Sequence, residues 1–255
     1  MTDLFEEVEE QLRSERYKQL ARTVLPWMLG LAAIALIATL GYWGWDTWRN
    51  KQIDQASEQY GEALESMAAN DPAKARTLWT TVSKSKAPAY QALSLMHLAA
   101  FAGGDGKTAE QVKLLDEAAK VAPDPVIGDA ARLKSAFALL DTAPLAELEG
   151  RLKPLMEEGR PYRVQAREAM AFAKLNAGDL KGARSDFQLL SQSLDAAETV
   201  QQRANAALGL IDAGSAKGVA AVVKAAAALP PPLPMDAGLL MPPGPQGQIE
   251  GAFPQ

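Results

Sequence analysis

Residues 169–190 read AMAFAKLNAGDLKGARSDFQLL, and this stretch decides the fold. Two segments with helical apolar periodicity flank a turn at Gly178-Asp179. Glycine commonly ends one helix, and aspartate commonly caps the start of the next. In the second helix, Ala183 is small enough to let the two helices approach closely, and Phe187 can fill the space towards a neighbouring pair. The stretch therefore predicts an antiparallel helix pair.

The same markers recur along the chain. An alanine early in every second helix has spacings of 34, 37 and 37 residues, at Ala75, Ala109, Ala146 and Ala183. A proline at the start of the alternate helices has spacings of 37 and 36 residues, at Pro88, Pro125 and Pro161. Proline suits the first helical turn, because the N–H that it lacks has no partner there. Two independent markers thus share one period.

We expect the following helices: 52–69 paired with 72–85, 88–102 with 107–121, 125–141 with 144–158, 161–176 with 179–194, then 196–213 and a short helix within 216–229. A period near 34–37 with two helices per unit is typical of tetratricopeptide repeats. Trp79 keeps the aromatic position of the pattern, whereas Lys113 and Gly150 replace it in the middle units. The prediction is an all-α, TPR-like α-solenoid; a non-repeating, Ala-rich helical bundle is the alternative.

The apolar stretch Thr23–Trp45, TVLPWMLGLAAIALIATLGYWGW, contains no charged residue. As a helix it spans roughly 34 Å, enough to cross a hydrocarbon core of about 30 Å. Trp27 at one end and Tyr42 and Trp43 at the other suit the two headgroup layers. A buried core helix of a soluble protein is one alternative. A cleaved signal peptide is another, but the acidic start MTDLFEEVEE and the missing Ala-x-Ala site disfavour it.

Basic residues beside this stretch predict its direction. Four precede it, Arg13, Arg16, Lys18 and Arg22, and two follow it closely, Arg49 and Lys51. Because Lys and Arg favour the cytoplasmic side, we expect a cytoplasmic N-terminus and a translocated C-terminal domain.

These features divide the chain into four predicted segments. Residues 1–22 form a charged cytoplasmic arm, predicted to be helical with Leu4, Phe5, Val8 and Leu12 on one stripe. Residues 23–45 form a transmembrane signal anchor, and residues 46–229 a periplasmic repeat domain. Residues 230–255, PPPLPMDAGLLMPPGPQGQIEGAFPQ, are too rich in Pro and Gly to form a core and are predicted to be disordered.

Composition and motifs disfavour several classes of function. The net charge is −5 and no basic stripe lies outside the membrane flanks, which disfavours nucleic-acid binding. The chain has no cysteine, so disulfides, cysteine-ligated zinc and thiol catalysis are excluded. The one histidine, His97, lies in the apolar segment LSLMHLAA, which is typical of a core or groove residue. We expect no enzyme activity, no cofactor and no metal site.

The N-terminal segment TDLFEEVEEQLRSERYKQL, the single anchor and the loose helix pairs resemble the ancillary SecYEG translocon subunit family of Gram-negative inner membranes. The resemblance covers residues 1–213 and excludes the proline-rich tail. It implies a single-pass inner-membrane protein with a periplasmic TPR-like domain. It also implies three kinds of partner: the SecYEG-type translocon, periplasmic chaperones and exported client polypeptides.

Stacked helix pairs form a concave groove lined by the first helix of each pair. The repeat pattern predicts five residues in this groove: Tyr60, Gln91, Ser94, Gln165 and Glu168. Such a surface suits an adaptor or chaperone that binds exported proteins. A structural scaffold for an envelope or division complex, without client binding, is the alternative.

Overall fold

In the computed structural model, the backbone is described for residues 3–227 and the side chains for residues 24 and 26–226. Within these residues every regular element is helical, which confirms the all-α prediction. The α-helices are α1 (Asp3–Ala68), α2 (Pro72–Val82), α3 (Pro88–Gly104), α4 (Thr108–Val121), α5 (Pro125–Leu139), α6 (Leu145–Leu152), α7 (Arg163–Asn176), α8 (Leu180–Ser191), α9 (Glu198–Asp212) and α10 (Val219–Ala227). The predicted disordered tail and the apolar stripe of the arm lie outside the described residues.

Helix α1 joins segments that the sequence analysis treated separately. It runs without a break from the arm through the apolar stretch to the end of the first predicted repeat helix. Pro26 is its one internal proline, and the connection from Asp46 to Tyr60 contains neither Pro nor Gly. Because nothing in that connection interrupts the backbone hydrogen bonds, the helix continues into the repeat domain.

The apolar part of α1 is exposed along its length. It is long and apolar enough to cross a membrane, and none of it is buried inside the protein. Trp27 is 80% exposed and Leu31 72% exposed. Burial of one such side chain is favourable by roughly 1.5–3 kcal/mol, so a whole helix of them favours an apolar environment. The hydroxyls of Thr39 and Thr47 donate to the carbonyls of Ala35 and Trp43, both at 2.8 Å, which pairs these polar groups within the helix.

Most predicted helix boundaries agree with the structure to within about three residues. Three details of the predicted helices are different in the structure. The first predicted repeat helix is the C-terminal part of α1 and not a separate element. The helix expected over 144–158 ends at Leu152 and continues as a 3-10 turn, Lys153–Leu155, because Pro154 cannot donate a helical hydrogen bond. Pro161 lies in the turn before α7 and not within that helix.

Aspartate caps are present at the first of these helix pairs and at the fourth, where the sequence predicted one. Asp71 accepts a hydrogen bond from the Lys74 amide at 3.0 Å, and Asp179 accepts one from the Gly182 amide at 3.0 Å. Gly178 has a φ of 82°, the left-handed conformation that ends a helix. These contacts fix the turns between α1 and α2 and between α7 and α8.

Two compact units make up the chain. The first comprises Met1–Leu98 and Glu117–Gly128, and the second comprises Ala99–Asp116 and Asp129–Gln255. In the first unit, α2 packs on the C-terminal part of α1. Its apolar contacts join Ala56 of α1 to Val82 and Ala87, with Ile53 and Tyr90 at the edge.

In the second unit, α8 packs between α7 and α9. Phe187 is fully buried, and its ring meets that of Phe172 edge-on with centroids 5.1 Å apart. Ala183 is also fully buried at the contact between the helices. Phe187 also lies in one buried cluster with Val200 and Ala204 of α9, so the small residue and the aromatic have the packing roles that the sequence predicted.

Truncation of Phe187 tests this packing. Phe187→Ala should lower the free energy of unfolding by about 3–5 kcal/mol, because it removes a buried ring and leaves a cavity. Leu189→Ala on the same helix is the matched control, since Leu189 is 53% exposed. Thermal unfolding of the detergent-solubilised full chain measures both. Equal losses for the two variants would contradict the assignment of Phe187 to the core.

Candidate interaction surface

Four aromatic side chains cluster where α1, α2 and α3 meet in the first unit. Tyr60 comes from α1, Trp79 from α2, and Tyr90 and His97 from α3. The rings of Trp79 and His97 stack with centroids 4.1 Å apart and an interplanar angle of 1°. The Tyr60 ring lies 5.6 Å from that of Tyr90 and 5.7 Å from that of His97. Aromatic contacts of this kind add stability beyond their buried area.

Two hydrogen bonds of the cluster join α1 to α3. The Tyr60 hydroxyl lies 2.9 Å from His97 Nε2, and the Ser57 hydroxyl donates to the Tyr90 hydroxyl at 2.8 Å. Burial, and then the nearby Tyr90, raise the pKa of the Tyr60 phenol above its usual value. His97 thus lies half-buried in a packed cluster, as the sequence analysis expected of a core or groove histidine.

Polar side-chain pairs about one repeat apart recur through both units. They link residues 33 to 37 positions apart, which is the repeat period read from the sequence. They are Ser57–Tyr90, Tyr60–His97, Asp116–Arg151, Asp141–Asn176 and Glu168–Arg203. Because equivalent positions of neighbouring repeats meet when repeats stack, these contacts support repeat architecture in each unit.

Of these five pairs, the one between Glu168 on α7 and Arg203 on α9 has the most buried acidic side chain. Arg203 Nε donates to one carboxylate oxygen at 2.7 Å and its terminal nitrogen donates to the other at 2.9 Å. The Glu168 side chain is 10% exposed and that of Arg203 is 53% exposed. The hydrogen bonds to Glu168 raise the pKa of Arg203. This two-point contact holds α9 against α7.

The five predicted groove residues divide between the two units. In the first, Tyr60 and Gln91 are half-buried and Ser94 is fully buried. In the second, Gln165 is exposed, whereas Glu168 is buried and paired with Arg203. Gln165 is therefore the member most accessible to a partner. The assignment of these five residues to a binding groove stays a prediction.

The second unit contains a buried charge that the sequence pattern does not predict. The Asp129 side chain is fully buried, and it accepts hydrogen bonds from Arg132 and Arg160. Two basic side chains offset the cost of burying one carboxylate. Glu168 and Arg203 could have been paired from their 35-residue spacing and opposite charge, but Asp129 and Arg160 are 31 residues apart and give no such signal.

An open cleft of about 370 Å³ lies beside the start of α7. Arg160 and Arg163 lie along it, and Arg163 donates to Asp195 across 2.7 Å. Its charged lining suits a polar or extended polypeptide better than a purely apolar anchor.

Comparison with protein-family models matches residues 18–207 to the tetratricopeptide repeat-like domain. The chain belongs to this family. The matched range begins before the apolar stretch and ends within α9. No curated protein and no solved structure matches the chain. The tetratricopeptide repeat-like domain indicates a protein–protein interaction module, and folds of this type are typically not enzymes. Among the described residues, no three His, Asp or Glu side chains are placed to hold a metal ion.

The Tyr60 phenol should make stability fall at alkaline pH. Because its pKa is raised in the folded state, the protonated phenol contributes stability that is complete below about pH 10, the usual pKa, and is lost as the pH rises through the folded-state pKa. The melting temperature of Tyr60→Phe should therefore fall less steeply above pH 10 than that of the wild type. Tyr162→Phe, which alters a phenol of the second unit, should keep the wild-type slope. The same slope in Tyr60→Phe as in the wild type would refute this role.

Removal of Arg203 should destabilise the second unit. Arg203→Ala leaves the largely buried Glu168 carboxylate without its partner, at a cost of about 1–2 kcal/mol. Arg184→Ala breaks an exposed pair with Asp212 and is the control, expected to have a smaller effect. Chemical denaturation of the full chain in detergent compares them. A larger loss for Arg184→Ala would contradict the structural role of the Glu168–Arg203 pair.

Proposed function

We propose that this chain is a single-pass inner-membrane protein whose repeat domain lies in the periplasm. Residues 1–22 form its cytoplasmic arm, residues 23–45 its anchor, residues 46–229 its repeat domain and residues 230–255 its tail. The observation that carries the proposal is the exposed apolar part of α1, which continues directly into the repeats. An anchor so close to a protein-binding module keeps the partners of that module at the membrane surface.

The domain acts in this proposal as an adaptor or chaperone for exported proteins near the Sec translocon. Three features support it: the interaction fold, the membrane anchor and the excess of bases before the anchor. Exposed Gln165 and the charged cleft beside α7 offer polar contacts for an extended polypeptide. Periplasmic chaperones are the partners expected to receive such a client.

A scaffold for an envelope or division complex is the second candidate. Two of the five predicted groove residues, Ser94 and Glu168, are buried and so present little surface to a client. A scaffold would need the anchor and stable partners but no client-binding groove.

A reporter fused to the C-terminus tests the orientation. Alkaline phosphatase, which is active only after export, should be active in this fusion, and a reporter that is active only in the cytoplasm should be silent. The matched fusion after Arg22, before the anchor, should give the reverse pattern. A cytoplasmic C-terminus would overturn every periplasmic part of the proposal.

Site-specific photo-crosslinking in cells tests the client role. A photo-crosslinking amino acid in place of Gln165 on α7 should capture exported polypeptides, whereas the same change at Gln188, an exposed glutamine on α8, should not. Extraction of the same membranes in mild detergent should co-purify translocon subunits. Translocon recovery without Gln165 adducts would favour the scaffold, and loss of both would contradict the Sec association.

A further inference from the structure

The turn between α2 and α3 lies beside the part of α1 that follows the apolar stretch. Its sequence, Ser83-Lys84-Ser85-Lys86-Ala87, places two exposed lysines at its tip. The ammonium group of Lys86 lies 5.0 Å from the centre of the Trp48 ring, a cation–π contact. Ala87, at the end of the turn, packs with Ala56 of α1. The structure thus fixes the level of this turn along α1.

That level coincides with the expected headgroup layer. Trp48 lies three residues beyond Trp45, or about 4–5 Å along the helix. Lys51 lies roughly 9 Å beyond Trp45. A headgroup layer is roughly 5–8 Å thick, and a lysine side chain adds reach. Trp48 is 46% exposed, which suits an aromatic residue at the interface.

Charge at this level is predominantly positive. Four exposed bases, the membrane-proximal bases, are Arg49, Lys51, Lys84 and Lys86. The acids at the same level are Asp46 and Asp54, and Asp46 accepts a hydrogen bond from Asn50 at 3.1 Å. The bases therefore outnumber the acids in a chain whose net charge is −5. Such a local excess attracts anionic surfaces.

We infer that the membrane-proximal bases bind anionic phospholipid headgroups, with the turn between α2 and α3 resting on the bilayer. This inference rests on the proposed membrane anchorage and adds a specific lipid partner to it. Lys84 and Lys86 contact lipid phosphates from the repeat domain, while Arg49 and Lys51 do so from α1. The lipids thereby orient the first unit at the membrane surface.

The lack of cysteine in the sequence makes a direct test possible, because a single introduced cysteine can carry a fluorophore. The full chain, labelled at Ser85→Cys, is reconstituted in vesicles of phosphatidylcholine and phosphatidylglycerol at fixed composition. A spin label near the glycerol end of the acyl chain is placed on one lipid or the other at equal mole fraction. The ratio of the two quenching efficiencies reports local enrichment of the anionic lipid.

We expect phosphatidylglycerol to be enriched about two- to fivefold over phosphatidylcholine at Ser85→Cys, since each lysine near an anionic surface strengthens association by up to about fivefold. The ratio should fall to about one in 1 M salt, where charges are screened beyond about 3 Å. It should also fall to about one in Lys84→Gln/Lys86→Gln. The control Lys113→Gln/Lys120→Gln removes two exposed lysines from α4 and should keep the enrichment.

Two further labels separate the inference from the proposed anchorage. Ala33→Cys, in the middle of the apolar stretch, should be quenched by a spin label deep in the acyl chains. Ala69→Cys, in the turn before α2, should not be quenched by either lipid. An unquenched Ala33 label would overturn the anchorage and the inference together. With Ala33 quenched, equal quenching of Ser85 by both lipids, or no quenching at all, would overturn the inference alone.

Discussion

The continuity of α1 is the constraint on which the first unit depends. One helix carries exposed apolar residues such as Leu31 and, further along, core residues such as Ala56 and Ala63. Apart from Pro26, which has no N–H to donate, its interior backbone groups pair within the helix, as a lipid environment requires. The same rigid rod that suits a bilayer therefore positions the first repeat helix. The apolar stretch and the first repeat helix are therefore parts of one continuous helix, with no linker between them.

Many polar contacts in both units join residues about 35 positions apart in the sequence. The pairs that join neighbouring repeats, such as Tyr60–His97 and Glu168–Arg203, are separated by about one repeat period. Each of these pairs joins alternate helices, α1 to α3 or α7 to α9, while alanines such as Ala183 allow the helices to approach. The repeat thus supplies both the apolar packing and the register of the hydrogen bonds. Residues at these positions join one repeat to the next, and Glu168 is buried because it lies at such a contact.

The helix pairs could be predicted from the sequence because their signals are local. Caps at Asp71 and Asp179 and the left-handed Gly178 depend only on a few neighbouring residues. The unbroken passage from the apolar stretch into the first repeat was not predicted as one helix, because the change from apolar to charged composition suggested two separate elements. The contacts of Asp129 and the burial of Ser94 depend on tertiary packing, which periodicity does not specify. Exposure of the candidate groove residues was the least predictable feature for the same reason.

The most direct test of the rigid link between the apolar stretch and the repeats is a distance along α1. Spin labels can be attached at Gly41→Cys and Glu65→Cys, two exposed positions that lie 24 residues apart. The chain has no other cysteine that would compete for the label. A continuous helix predicts a narrow distance distribution centred near 36 Å for the full chain in lipid nanodiscs, measured by pulsed electron paramagnetic resonance. A broad distribution, or one centred well below that distance, would mean that α1 bends or breaks between the apolar stretch and the repeats, and would contradict this account.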